Sequence, residues 1–127
     1  MEFALVLSYM VLLGFGTIIS PGVGLFGGII AMVPQWVTDP LHAPAYGILT
    51  WLLVSSLHRR GWPRSYALFA AGAGAMVFGL WMEIVQGSVP GRVVSIQDVV
   101  TNGAGIAMMV VLILWKKMPV QPSISTV

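Results

Sequence analysis

Seventeen consecutive residues, Phe3 to Ile19 (FALVLSYMVLLGFGTII), carry no charge. At 1.5 Å per residue a helix of that length reaches about 25 Å, enough to cross a thin bilayer. Three more apolar stretches follow, Leu41 to Leu57, Tyr66 to Gln86 and Ile96 to Trp115. The 127 residues are 57% apolar and hold only six basic and four acidic side chains, where an ordinary soluble domain is about 25% charged. A compact fold in water would expose large apolar patches, which soluble monomers rarely do. A water-soluble globule is therefore excluded and the natural solvent is a bilayer. Since a span needs about 20 residues, the length leaves room for four or five spans and no separate soluble domain. The expected architecture is an all-α membrane protein, a four-transmembrane-helix bundle with a short re-entrant or interfacial segment between the first and second spans.

The breakers fall between these stretches. Only Met1 and Glu2 precede the first, without a basic n-region or a cleavage site, so it reads as a retained anchor and not a removable leader. Ser20-Pro21-Gly22 ends it. Val23 to Val33 is apolar and glycine-rich but spans only 11 residues, a length that suits a re-entrant or interfacial piece. Asp39-Pro40 reads as an N-cap and first helical residue for the second span, because proline has no amide hydrogen to leave unpaired. Ser65 reads as the cap of the third span and Ser95 as that of the fourth. Ala71, Gly72, Gly74, Ala75 and Gly79 line the third with small residues that let helices approach closely in lipid. Residues 1–117 form one domain, followed by a short cytoplasmic tail, 118–127, expected to be mobile.

Arg59, Arg60, Arg64, Lys116 and Lys117 fall at the turn between the second and third spans and at the C-terminus, which four spans place on one side. Only Arg92 lies opposite. That asymmetry makes the first side cytoplasmic, with both termini inside. Trp62, Tyr66 and Trp115 on that side, and Trp36 and Trp81 on the other, fit two interfacial aromatic belts. The basic residues are too sparse for a phosphate-tracking groove, so nucleic acid is not an expected partner. There are no cysteines, which removes disulfides, thiolate metal sites and cysteine nucleophiles.

The scarce polar side chains cluster on this topology. Asp39, His42, Glu83, Gln86, Arg92, Asp98 and Asn102 all fall near the non-cytoplasmic ends of the last three spans. His42 and Tyr46 are i and i+4, Glu83 and Gln86 i and i+3, Asp98 and Asn102 i and i+4, so each pair shares a helix face. Ionisable groups within spans are costly, turn inward or toward a wet cavity, and mark functional sites. Each also has a plainer reading. Ser95-x-x-Asp98 resembles a capping box with aspartate in place of glutamate, Asn102 suits a helix-joining hydrogen bond, and Asp39 suits a cap. Glu83 resists such a reading, because an acid in the last turn opposes the helix dipole and, if buried, must be paired or protonated. Arg92, nine residues further, is placed either to fold back onto Glu83 or to bind an anion bidentately. His42 has three readings, a general acid or base, a metal ligand, or an interfacial imidazole. The other histidine, His58, lies about 24 Å away by helical rise, so the two cannot share a metal or haem. No HExxH-like motif and no phosphate-cradling glycine loop is present, and neither metal nor cofactor is expected.

The order Asp39-x-x-His42-x-x-x-Tyr46-x-x-Leu49, Glu83-x-x-Gln86, Pro90-Gly91-Arg92, Ser95-x-x-Asp98 and Asn102-x-x-Gly105 resembles the VanZ-like family of small bacterial membrane proteins. The motifs run from Asp39 to about Trp115. The first span is compatible but carries none. Pro40 departs from the lysine that often follows the aspartate. The resemblance implies a four-helix protein of the bacterial cytoplasmic membrane, in a family linked to low-level teicoplanin resistance, but it supplies no reaction.

Two functions fit these residues. In the first, an enzyme or lipid-handling protein uses His42, Glu83 and Asp98 as catalytic proton-moving groups. Asp39, Tyr46, Gln86, Arg92 and Asn102 then bind a polar or anionic lipid-linked envelope substrate. In the second, the polar groups only join helices, and the chain packs as an accessory subunit in a larger membrane complex or a homo-oligomer. A channel or transporter fits less well, since no inverted halves are visible.

Overall fold

Each of the four apolar stretches becomes a helix in the computed structural model, which describes residues 2–20 and 22–116 and has no strand among them. In chain order these are α1 (Glu2–Ile18), two short helices α2 (Gly24–Met32) and α3 (Gln35–Thr38), a 3-10 turn at Asp39–Leu41, then α4 (His42–Arg59), α5 (Arg64–Gln86) and α6 (Ile96–Trp115). The expected tail (118–127), Lys117 and the breaker Pro21 lie outside the described residues. The segment expected to re-enter or lie flat forms α2, flanked by extended Val23 and Val33. Gly27 is its sole buried residue, while Leu25, Phe26 and Met32 are exposed.

Two caps differ from expectation. Ser65 does not cap α5. The helix begins at Arg64 with Pro63 in the cap position, whose carbonyl accepts the Ala67 amide at 2.9 Å. Proline bars the residue before it from helical geometry, so the helix starts directly beyond that barrier. Asp39 caps nothing either. It opens the 3-10 turn, and Leu41, with no capping side chain, precedes α4.

The long helices alternate in direction. The Arg60 guanidinium sits 4.9 Å from the Phe3 ring, which brings the start of α1 to the end of α4. At the other end, Thr17 Oγ1 donates to Met82 Sδ at 3.5 Å. Between them the Tyr9 hydroxyl donates to the Ala45 carbonyl at 2.9 Å. The core has two buried layers: Val54, Ala67, Leu68, Ala71 and Ile113 toward the α4–α5 turn, and Tyr46, Leu49, Ala75 and Ile106 above them.

Only α5 and α6 are long and apolar enough to cross a bilayer; α1 is shorter, at 17 residues. Of the most apolar windows of α5 and α6, 28% and 22% are buried. Most of their apolar surface therefore faces outward, unlike the core helix of a soluble protein, which favours lipid as the surrounding medium.

The closest helix approach runs through Gly105. A Cβ there would lie 2.0 Å from the Ala43 carbonyl oxygen, so α6 seats against the backbone of α4 with no room for a methyl group. Gly105→Ala should force the helices apart and lower stability by about 1–3 kcal/mol, read as thermal unfolding in detergent. Gly74, where a Cβ meets nothing within 4 Å, is the control. Gly74→Ala should leave stability unchanged or raise it by up to about 1 kcal/mol.

Candidate functional site

A carboxylate at the end of one helix meets the beginning of the next. The loop from Gly87 to Val94 turns back through Gly91 (φ +82) and sets Ser95 beside Glu83. The Ser95 amide donates to Glu83 Oε2 at 3.1 Å, and Ser95 Oγ accepts the Asp98 amide at 3.2 Å. In an ordinary capping box the residue at the Asp98 position would return its side chain to the Ser95 amide. Here Glu83 takes that place from α5. Glu83, 4% exposed, thus has a structural partner, and Asp98 is released from one. The cap expected of Ser95 is present, but the box expected of Asp98 is not formed by its own carboxylate. Asp98 Oδ1 is buried with no hydrogen-bond partner among the described residues.

His42, at the start of α4, faces the same place. Its Nδ1 lies 3.2 Å from the Asp39 carbonyl oxygen. The contact requires a proton on Nδ1, which leaves Nε2 of the neutral ring with a free lone pair. His42, Asp98 and Arg92 all lie within electrostatic reach of Glu83. Asp98 is in turn within reach of His42, Asp39 and Arg92. Arg92 does not fold onto Glu83 with a hydrogen bond. Its Nη2 donates to the Ile19 carbonyl at 3.3 Å, and its buried Nε has no partner among the described residues.

A second tier lies one turn deeper. A Cβ on Gly79 would come within 3.1 Å of both Asn102 Nδ2 and Tyr46 Cε1, so this glycine lets the two side chains converge. Asn102 is 2% exposed, and its Oδ1 lacks a partner among the described residues, so the helix-joining hydrogen bond is not what its oxygen makes. Tyr46 is buried, with Glu83 and Tyr9 near it. Gln86 is buried at the end of α5. The expected residues are thus gathered from α4, α5, α6 and the intervening loops at one end of the bundle. Asp39 and Arg92 stand at its rim.

A groove of about 360 Å³ opens beside this cluster, lined by Trp36, Asp39, Pro40, Ala43, Gln97 and Thr101. Asp39 belongs to both. Gln97 and Thr101 went unnoticed in the sequence. They are i and i+4 on α6, which is the spacing that would have found them. Tyr9 was also missed, although a tyrosine inside an apolar run needs a hydroxyl partner, and that need was a usable signal. Among the described residues no three His, Cys, Asp or Glu side chains gather as a metal site. Chemically, the arrangement offers a lone pair on His42, a partnerless carboxylate oxygen on Asp98 and an unpaired guanidinium N–H on Arg92. Those groups are suited to moving a proton next to a bound anion.

A model of the VanZ/LLP1 family matches residues 3–117, so the match takes in α1, which carries none of the motifs. No curated protein and no solved structure matches the chain.

The Glu83 contact should be measurable as stability. Ser95→Ala should lower it by about 1 kcal/mol through loss of the cap. Glu83→Ala should lower it by about 1 kcal/mol or more, because a part-buried amide is left without its acceptor. Since both changes act on one helix start, the double variant should lose less than the sum, read by thermal unfolding in detergent.

Proposed function

The chain belongs to the VanZ/LLP1 family, and on that premise we propose that it is a four-span protein of the bacterial cytoplasmic membrane, both termini inside, acting on a polar or anionic lipid-linked envelope substrate. α1 and α4 complete the spans provided by α5 and α6, short helices being accommodated by local thinning of the bilayer. The basic residues at the α4–α5 turn then put the polar cluster on the outer side. His42 is the proton acceptor and donor, Asp98 its acidic partner, and Glu83 the residue that holds Asp98 available by occupying the Ser95 amide. Arg92 and Asn102 hold the substrate's anionic or polar group, and Asp39, Tyr46 and Gln86 bind it with them.

The single observation that supports this reading is the coincidence of orphaned polar atoms at one end of the bundle: Asp98 Oδ1, Asn102 Oδ1 and Arg92 Nε. Buried polar groups are otherwise satisfied in folded proteins, and a cluster of exceptions calls for a ligand or water. A second reading, an accessory subunit of a larger complex, is favoured by α2, whose Leu25, Phe26 and Met32 are exposed. Co-migration with stoichiometric partners in mild detergent would support it.

The acid-base reading predicts that His42→Ala, Asp98→Asn and Glu83→Gln each weaken the envelope phenotype, read as teicoplanin susceptibility of an expressing bacterium at matched membrane abundance. His42→Ala should have the largest effect. An unchanged phenotype in all three contradicts it.

A further inference from the structure

The opposite end of the bundle carries a different feature. Between α5 and α6 runs a groove of about 990 Å³ with Arg64 and Ser65 at its mouth. Leu68, Val110 and Leu114 form its walls, and Gly72 and Ala73 leave its floor open. From Arg64 to Ala73 the groove follows α5 for about 13 Å by helical rise, roughly half of a hydrocarbon core about 30 Å thick. That is the depth of one leaflet. Trp62, Tyr66 and Trp115, next to Arg64, Ser65 and Leu114 in the chain, are exposed, as aromatic side chains are where chain meets headgroup.

The mouth is also charged. Arg64 Nη2 donates to the Ile113 carbonyl, which fixes the guanidinium between the two helices. Its Nε is buried yet has no hydrogen-bond partner among the described residues. Arginine stays protonated, and its N–H groups match phosphate oxygens. No side chain caps the N-terminus of α5, so the positive end of the helix adds to the same field.

We propose that this groove holds one anionic phospholipid of the cytoplasmic leaflet, its phosphate against Arg64 and one acyl chain along Leu68, Gly72 and Val110. The proposal rests on the membrane reading above but concerns the end away from the polar cluster. The bound lipid is structural or regulatory and takes no part in proton transfer. Charge complementarity selects an anionic headgroup over a zwitterionic one, because Arg64 brings a positive charge to the groove and no carboxylate lines it.

The test uses the full chain in nanodiscs of equal phosphatidylglycerol and phosphatidylcholine, released for native mass spectrometry. The proposal expects retained phosphatidylglycerol in wild type. It expects about tenfold weaker retention in Arg64→Gln, the loss of a charged hydrogen bond. Ala73→Leu, at an exposed position, should block the acyl chain and weaken retention with the charge intact. If Arg64→Gln loses its helical circular dichroism, Ala73→Leu decides alone. Equal retention of both lipids, retention unchanged in the folded variants, or a second copy of the chain in place of lipid overturns the proposal. Alkaline extraction of cell membranes separates the two claims. A chain released by alkali refutes the membrane reading, whereas an embedded chain without lipid preference refutes this inference only.

Discussion

The Glu83 carboxylate on the Ser95 amide is the interaction from which the site follows. It closes the α5–α6 loop, anchors the first turn of α6 and occupies the donor that would otherwise draw Asp98 into a cap. One hydrogen bond therefore decides whether Asp98 closes its own cap or keeps a buried oxygen without a partner among the described residues. Below it, Gly79 and Gly105 remove side-chain bulk where α4, α5 and α6 converge. Close helix approach then brings His42, Tyr46, Asp98 and Asn102 toward one another without a large cavity.

Polarity is divided along the bundle. One end holds Asp39, Glu83, Asp98, His42 and Arg92; the other holds Arg60, Arg64 and exposed aromatic side chains. Between them the described core is built of aliphatic and small residues together with Tyr46. In a medium without water, such a division makes the two ends of the bundle chemically distinct. The Arg64 groove lies at the end away from the polar cluster.

Much of the fold was legible because its signals are local. Ile96 to Trp115 reads as a helix from its apolar run and from Ser95 before it, and α6 has those bounds. The signals at Asp39 and Ser65 were equally local but misleading, since Pro40 favoured a tight 3-10 turn and Pro63 set the start of α5 one residue before the serine. The gathering of polar residues followed from topology and scarcity alone. Which of them would be satisfied did not, because Ser95-x-x-Asp98 looks complete within its own helix. The competing acceptor, Glu83, lies 12 residues earlier in the chain. Tyr9 was hidden in the same way, its hydroxyl serving a carbonyl 36 residues away.

The central claim is that the carboxylate Glu83 releases is coupled to His42 within one site. Infrared titration of the carboxyl groups of the full chain in lipid, with Asp98→Asn to assign the band, measures this directly. The account predicts that the Asp98 midpoint moves when His42 is replaced by alanine. A midpoint indifferent to His42 would mean that the two side chains do not share an environment, and the account would fail.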